Sequence, residues 1–151
     1  MNLILGHDVL VADWVRQRAP HAESGFEKFV AIGVEDEGSL IAGVVYDQYY
    51  PGVSIHVSIA STTPKWCNRR ILKGLFTYPF GQMKVKRLTA YTGSSMASVR
   101  GFLERLGFRQ EGILRQGFAD DDAVIYGMLK HECPWIERTR YEVKPVSPAR
   151  A

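Results

Sequence analysis

Three basic residues, Arg69, Arg70 and Lys73, open a segment with a helical spacing of apolar residues. The first turn of a helix presents free backbone N–H groups and the positive end of the helix dipole, which together favour an anionic group such as a phosphate. Two guanidinium groups at that place would add charge-assisted hydrogen bonds. The cluster therefore predicts either a phosphate-binding helix start or an ordinary solvated helix face, and both interpretations stay open.

His56 is the residue best placed to move a proton. It stands on the polar face of the alternating segment Val53–Ala60. Because an imidazole titrates near neutral pH, His56 can act as a general base. The alternative is a histidine that packs under a neighbouring helix with its hydrogen bonds satisfied. Asp47 and Glu35 are weaker candidates for the base, since both lie near predicted turns.

The two cysteines, Cys67 and Cys133, form neither a disulfide framework nor a metal-binding pattern. Cys67 stands at the predicted helix start, where the pKa of a thiol can fall, but we do not expect it to act as a nucleophile. His131 and Cys133 are too isolated to bind a metal, and we predict no metal site. So few cysteines favour a reducing compartment, and we expect the protein in the cytoplasm.

The composition is that of one globular domain. The 151 residues are 46% hydrophobic and 23% charged, which excludes disorder of the whole chain. No apolar run approaches the ~20 residues that span a bilayer, and Met1–Gly6 lacks the basic start of a signal peptide, so we expect no membrane partner.

The net charge of +3 suits an anionic cofactor or a nucleic acid. Nucleic acid is the least supported partner, because no recognition motif accompanies this charge.

The periodicity of the chain is typical of an α+β domain, in the order strand, helix, three strands, helix, strand, helix and two strands. The predicted strands are Asn2–Leu5, Phe29–Val34, Leu40–Tyr46, Val53–Ala60, Val85–Tyr91, Arg109–Phe118 and Ala123–Leu129. The first predicted helix begins at the N-cap Asp8 and stops before Pro20, with Leu10 on its apolar stripe. The second has a kink near Tyr78, before Pro79, and the third ends at Gly107.

A helix joins the fourth and fifth predicted strands, which therefore run parallel within a mostly antiparallel sheet. Where two such strands diverge, a crevice opens at their carboxyl ends, and we expect a ligand there. We place the domain at residues 1–132. The chain then turns polar and contains Pro134, Pro145 and Pro148, so residues 133–151 are predicted to form a tail.

The segment Ser98–Phe108 (SVRGFLERLGF) and the following Gln110–Arg115 (QEGILR) resemble the C-terminal half of the GNAT superfamily of N-acetyltransferases. In particular they look like the branch of the ribosomal-protein N-terminal acetyltransferases, where a Ser-x-Arg…Glu-Lys-Leu-Gly-Phe…Glu-Gly run forms the last helix and the next strand. Tyr78–Phe80 stands where that branch has Tyr-Ala-Phe, and Asp122 where it often has an acid. The element order matches as far as Leu129, and the overall shape resembles small phage- or prophage-encoded members.

The resemblance implies a sheet flanked by helices whose central parallel pair splays around acetyl-CoA, and direct attack of an amine on the thioester. In such enzymes the fourth strand offers backbone groups to the pantetheine arm, and the loop before the next helix wraps the pyrophosphate. The implied cofactor-binding residues are Val57, Ser58, Ile59, Ala60, Trp66, Cys67, Asn68, Arg69, Arg70 and, before the last helix, Ser95. The catalytic candidates are His56 as the base and Tyr91, at the end of the fifth strand, as the acid. The implied acceptor is a small-molecule amine or a protein amino group.

Several positions depart from the family pattern. Trp66 and Asn68 replace the two small residues of the phosphate loop, and Met96 replaces an asparagine of the last helix. The helix tyrosine that often serves as the acid is also missing. Either the cofactor is held differently, with the arginine pair substituting for the glycines, or binding has been lost. The alternative function is therefore an inactive binding or structural module on the same fold. The branch also often pairs through sheet edges or C-terminal segments, so a homodimer is expected.

Overall fold

Seven strands form one mixed sheet in the computed structural model, which describes residues 1–22 and 24–136. The strands are β1 (Asn2–Ile4), β2 (Phe29–Asp36), β3 (Ser39–Tyr50), β4 (Ser54–Ser61), β5 (Arg87–Gly93), β6 (Arg109–Phe118) and β7 (Asp121–Leu129). Their order in the sheet is β1-β2-β3-β4-β5-β7-β6, and in this described part every neighbouring pair is antiparallel except β4 and β5. The predicted α+β class and the central parallel pair are confirmed.

Three helices cover the two faces of the sheet in the described ranges: α1 (Asp8–Arg16), α2 (Arg69–Thr77) and α3 (Ala97–Leu106). α1 packs on one face, where a Cβ at Gly43 would lie 2.7 Å from Val15 Cγ2. The absent side chain therefore lets the helix approach the sheet. α2 and α3 pack on the other face over the larger core, which contains Val57, Leu72 and Leu106. No helix in residues 1–22 and 24–136 is long and apolar enough to cross a membrane.

α1 differs from its prediction. It ends at Arg16, well before Pro20, and its N-cap residue is His7 rather than Asp8. The Asp8 carboxylate instead accepts a hydrogen bond from Ala31 N at 3.1 Å, which ties the helix start to β2. Leu10 is 59% exposed, because the buried face is formed by other residues of the helix: Val11, Ala12 and Val15.

The other two helix ends follow the sequence signals. α2 passes into a π-helical turn, Tyr78–Gln82, at the predicted kink, since Pro79 cannot continue an α-helical hydrogen-bond ladder. Gly107 follows α3 with a φ of 113°, a left-handed conformation that glycine adopts without strain. Phe108 then packs back into the core and is 2% exposed.

Packing continues beyond the boundary predicted at residue 132. Cys133 is fully buried, and the Trp135 indole donates a hydrogen bond to the Leu106 carbonyl at 2.8 Å. Residues 133–136 therefore belong to the folded domain. The rest of the predicted tail, residues 137–151, lies outside the described residues.

Candidate active site

β4 and β5 pair over only a short distance before they separate. The parallel ladder joins Ser54–His56 to Arg87–Thr89, and beyond it β4 runs on to Ser61 and β5 to Gly93 without pairing with each other. Backbone groups that face this gap have no partner strand there. The gap is therefore the crevice that the parallel connection predicts.

His56, the last residue of β4 in this ladder, is 6% exposed. Its Nδ1 lies 2.8 Å from Asp47 Oδ1, and its ring stacks on Tyr91, with centroids 5.0 Å apart and planes at 26°. Its Nε2 is buried and has no hydrogen-bond partner among the described residues. When the Asp47 carboxylate accepts a hydrogen bond from Nδ1–H, Nε2 carries the free lone pair of the ring and can accept a proton.

The register of three strands brings together His56, Asp47 and Tyr91, which we call the His56 cluster. Asp47 lies opposite His56 in the β3–β4 ladder. Tyr91 lies two residues beyond Thr89, the β5 partner of His56, and so on the same face of the sheet. Asp47, a weaker candidate for the base, is the residue that orients His56. Glu35, the other weaker candidate, pairs with β1 at the far side of the sheet and takes no part.

Ser58 lies on the same face of β4 as His56 and is 2% exposed. Its Oγ, like His56 Nε2, is buried and finds no hydrogen-bond partner in the described part of the chain. Such atoms are rare in folded proteins because each costs about 1–3 kcal/mol. Two of them, two residues apart beside the gap, indicate a place where a polar ligand or an ordered water binds.

The opposite face of β4 borders an apolar wedge, the space between Val57 and Ile59 of β4 and Leu106 of α3. Trp66 fills this wedge: it is 1% exposed, and its ring lies 5.8 Å from that of Phe102. The cavity that Trp66 shares with Val57 and Ile59 measures about 10 Å³, the room that one water molecule needs. The indole Nε1 is buried there without a partner among residues 1–22 and 24–136.

The loop before α2 is stabilised by its own hydrogen bonds. Three of its backbone N–H groups donate within the loop, those of Lys65, Cys67 and Asn68. The Asn68 side chain caps α2 by accepting from Ile71 N at 3.0 Å. A phosphate bound here would compete with these bonds. Burial raises the pKa of the Cys67 thiol, so the helix start does not lower it.

The two arginines at the start of α2 have different partners. Arg70 donates a hydrogen bond to the Met1 carbonyl, which ties α2 to the start of the chain. The Arg69 guanidinium lies 5.8 Å from the centre of the Trp135 ring and makes no hydrogen bond within the described ranges. Arg69 is therefore available to a phosphate, whereas the guanidinium of Arg70 is engaged. Lys73 shares their helix.

These residues fit acetyl-CoA only in part. The gap and the polar atoms of His56 and Ser58 suit a reacting thioester and amine. The wedge does not fit a pantetheine arm while Trp66 occupies it, because the space left is that of one water molecule. The cofactor-binding roles assigned to β4, to the phosphate loop and to Ser95 stay predictions.

Asp121 holds the loop between β5 and α3. Its Oδ2 accepts from Ser95 N at 2.9 Å and from Ser95 Oγ at 2.7 Å, and these bonds lower the pKa of the carboxyl. Gly93 makes room for it, since a Cβ there would lie 2.6 Å from Asp121 Oδ2. The Ser95 hydroxyl is thus engaged by Asp121. Sequence reasoning missed this contact, because nothing local relates residues 26 positions apart.

The arginine of the Ser-x-Arg motif builds the frame of the same loop. The Arg100 guanidinium donates hydrogen bonds of 3.0–3.2 Å to three acceptors: Ser94 O, Gln110 Oε1 and Tyr126 Oη. It therefore joins the loop to β6 and β7. The Ser98–Phe108 motif, which resembles the acetyltransferases, therefore holds the loop at the edge of the gap through Arg100. No residue of this motif belongs to the His56 cluster.

Two open clefts flank the His56 cluster. One measures about 550 Å³ and lies between His21, the end of β5 and the turn Phe118–Asp121. The other measures about 580 Å³ and reaches Asp47 beside two aromatic residues at the end of β3, Tyr49 and Tyr50. Desolvation and the electrostatic interaction with His56 lower the pKa of His21, while the charge of Asp47 raises it. His21, which sequence reasoning missed, is therefore a close neighbour of the cluster.

No family model and no curated protein matches this chain. Solved structures do match it. A probable acetyltransferase gives a TM-score of 0.61 at 23% identity, over 80% of this chain and 68% of that one. The ribosomal-protein-S5-alanine acetyltransferase of Vibrio fischeri gives 0.58 at 19% identity, over 71% and 63%. A mutant of the spermidine N-acetyltransferase of Vibrio cholerae gives 0.65 at 15% identity, over 85% and 95%.

The similarity to these enzymes extends over most of the described domain, although this chain spans only about two thirds of the first two. Identities of this size reflect a shared architecture, and function has to be argued from the site. The chain therefore has the fold of the GNAT acetyltransferases.

Proposed function

We propose that the protein is an N-acyltransferase that moves an acetyl group from acetyl-CoA to an amine by direct attack. One observation carries the proposal: at the point where β4 and β5 separate, a buried histidine is oriented by a carboxylate and keeps Nε2 without a partner in the described structure. A buried polar atom without a hydrogen-bond partner costs stability, and such an atom in a cleft favours a catalytic role.

The proton transfer is assigned to His56. Acetyl-CoA, when bound, supplies an electrophilic thioester carbonyl. The acceptor nitrogen gives its proton to His56 Nε2, and the Asp47 carboxylate stabilises the resulting imidazolium. Tyr91, held against the imidazole ring, stays the candidate proton donor. Ser58 Oγ is a further polar atom on the reacting side of β4.

Donor binding is proposed along the gap and at the start of α2. The backbone of Val57–Ala60 would face the pantetheine arm, the loop residues Trp66–Asn68 and Arg69 the pyrophosphate, and Ser95 the far edge. Trp66 must leave the wedge for the arm to enter, since it leaves only about 10 Å³ there. Arg69 supplies a guanidinium group to the pyrophosphate. Arg70 contacts the pyrophosphate only if its hydrogen bond to the Met1 carbonyl breaks.

The acceptor is proposed to be a small-molecule amine or a protein amino group. The ribosomal-protein-S5-alanine acetyltransferase and the spermidine N-acetyltransferase represent these two classes, and both share the fold of this chain. We further propose a cytoplasmic location, consistent with two free cysteines, and a homodimer formed through a sheet edge, where β1 and β6 end the sheet.

The test is release of free thiol from acetyl-CoA with a panel of primary amines and peptide N-termini. We expect turnover with at least one acceptor and its loss in His56→Gln. A thermal shift measures donor binding independently: acetyl-CoA at 100 times its dissociation constant stabilises by ~2.7 kcal/mol, which raises the Tm by about 5–11 °C for a domain of this size.

The closed wedge favours a second candidate function, an inactive module on the same fold. This candidate predicts no thermal shift at millimolar acetyl-CoA and no thiol release with any acceptor. Either signal in the native protein would exclude it.

A further inference from the structure

Three separate segments of the chain meet at the end of the sheet where β4 and β5 begin. The Val53 carbonyl, in the turn between β3 and β4, accepts hydrogen bonds from Lys86 N at 2.9 Å and Arg87 N at 3.1 Å. The backbone N–H of Lys130, directly after β7, donates to the Lys86 carbonyl at 2.9 Å. The gap between β4 and β5 opens at the carboxyl ends of these strands, so this is the opposite, closed end of the parallel pair.

Two lysines stand directly opposite each other at this end. Arg87 pairs with Leu129 in the β5–β7 ladder, and the bond from Lys130 N to the Lys86 carbonyl continues the ladder by one residue. Side chains of antiparallel partners lie on the same face, where like charges repel each other. The side chains of Lys86 and Lys130 are exposed and have no hydrogen bond or ion pair in residues 1–22 and 24–136, and the same holds for Lys84.

Two carboxylates at the same end of the sheet are already neutralised by arginines. Arg87 forms a salt bridge with Glu111 of β6, and Arg109 forms one with Glu132 at 3.0 Å. These pairs carry no net charge, so the three lysines stay uncompensated among the described residues. The chain, whose net charge is +3, thus concentrates unpaired positive charge on one surface. Positive charge that is clustered in this way attracts polyanions.

Exposed aromatic and apolar side chains border the lysines. Tyr50 is 63% exposed and Val53 is 54% exposed, at the turn that is bonded to Lys86. The Tyr49 hydroxyl donates to the Met83 carbonyl at 3.3 Å, which holds the end of β3 against the segment before β5. The Tyr50 ring makes no aromatic contact within the part of the chain that the structure describes. Unpaired bases stack on an aromatic ring of this kind when basic side chains flank it.

We propose that this end of the sheet binds single-stranded nucleic acid, with phosphates on Lys84, Lys86 and Lys130 and a base stacked on Tyr50. The inference goes beyond the proposed function and does not depend on it, because the surface uses no residue of the His56 cluster, of the gap or of α2. An acidic peptide would satisfy the lysines alone. The exposed ring favours a ligand that has both phosphates and planar rings, and a single strand leaves its bases free to stack.

The experiment measures the fluorescence anisotropy of labelled oligouridylate and oligothymidylate with the full chain. Strands of about 12 nucleotides lie within the usual site sizes of single-strand binders. We expect binding of both strands at low salt. Three phosphate contacts predict that the logarithm of the association constant falls with the logarithm of the salt concentration with a slope of about −2. A stronger binding of oligouridylate than of oligothymidylate would assign RNA rather than DNA as the ligand.

The lysines are tested by the double variant Lys86→Gln/Lys130→Gln. We expect it to weaken binding at least tenfold at low salt and to make the slope shallower by about 1.4, the value for two phosphate contacts. The matched control is Arg105→Gln/Arg115→Gln, which removes the same charge from exposed positions on α3 and β6. Its affinity and slope should stay those of the native protein. An equal loss in the control would show that only the net charge matters, and would overturn the inference.

The aromatic contact is tested by Tyr50→Ala, which should weaken binding at least fivefold without a change in the salt slope. Tyr50→Phe keeps the ring and should bind like the native protein. No binding at low salt, an unchanged affinity in Tyr50→Ala, or stronger binding of a duplex of the same length overturns the inference. Displacement of the strand by oligoglutamate at equal charge concentration also overturns it, and assigns an acidic protein partner instead. Thiol release from acetyl-CoA should be unchanged in Lys86→Gln/Lys130→Gln, so the failure of either proposal is distinguishable from that of the other.

Discussion

The two faces of β4 differ in how closely they are packed. On the face that carries His56 and Ser58, two polar atoms are buried without partners in the described structure, and an open cleft lies close by. On the face that carries Val57 and Ile59, Trp66 fills the wedge and leaves room for one water molecule. One face of β4 thus lies beside an open cleft, whereas the other face is closed by Trp66.

This difference separates two requirements of acyl transfer. In the proposed function, the polar face already holds an oriented histidine, so the proposed proton acceptor needs no rearrangement before an amine arrives. The apolar face must change before an acyl carrier of pantetheine length can enter. The proposed function therefore assigns catalytic chemistry and donor entry to different residues, and substitutions can test the two separately.

The largest effect is expected for the base of the polar face. His56→Gln keeps a buried polar side chain of similar size and removes the proton acceptor. General base catalysis typically contributes about 10²–10⁴-fold, so we expect kcat to fall by that factor. Acetyl-CoA affinity, measured by thermal shift, should stay within about twofold. A variant that keeps its full turnover would remove His56 from the mechanism.

The apolar face is tested by Trp66→Ala. Removal of a buried tryptophan costs about 3–5 kcal/mol of stability, and it also empties the wedge. We therefore expect a lower Tm in the absence of ligand together with an affinity for acetyl-CoA at least ten times higher. Phe80→Ala is the matched control, since it removes an equally buried aromatic ring from the π-helical turn. If both variants bind acetyl-CoA like the native protein, the wedge is not the donor site.

Most of the architecture could be predicted because local signals determine it. The alternation in β4, the helix between β4 and β5, Pro79 and Gly107 each act over a few residues, and together they imply the parallel pair and its gap. Element ends were predicted less well. The Asp8 carboxylate caps nothing, because a backbone N–H 23 residues away competes for it.

Only the site residues that can be recognised from their position in a single strand were predictable. His56 stands out by its type and its alternation, and Tyr91 by its place at the end of a strand. Asp47 was predicted only as a weaker base and not as the partner that orients His56, and Asp121 and His21 were not predicted, since these roles depend on the β3–β4 register and on contacts between distant loops. The likeness to phage-encoded members stays a prediction.

A smaller effect is expected when the base loses its orienting partner. Asp47→Asn keeps an oxygen near His56 Nδ1 and removes the negative charge that stabilises the imidazolium. A hydrogen bond to a charged group contributes about 1.5–3 kcal/mol, so kcat should fall about ten- to a hundredfold, less than in His56→Gln. In the double variant with His56→Gln, the Asp47 substitution should add little, because the two residues act as one unit. Additive losses in kcat would mean that Asp47 acts independently of His56.

The smallest effect is expected for the two arginines at the start of α2. Arg69 makes no hydrogen bond in the described ranges, whereas Arg70 is tied to the Met1 carbonyl. An exposed charge contact contributes about 0.2–1 kcal/mol, so Arg69→Ala should weaken acetyl-CoA binding about two- to fivefold at low salt and less at high salt. Arg70→Ala should instead lower the Tm slightly and leave the affinity near that of the native protein. A larger loss of affinity in Arg70→Ala than in Arg69→Ala would show that Arg70 releases Met1 when the donor binds, and that the start of α2 rearranges together with Trp66.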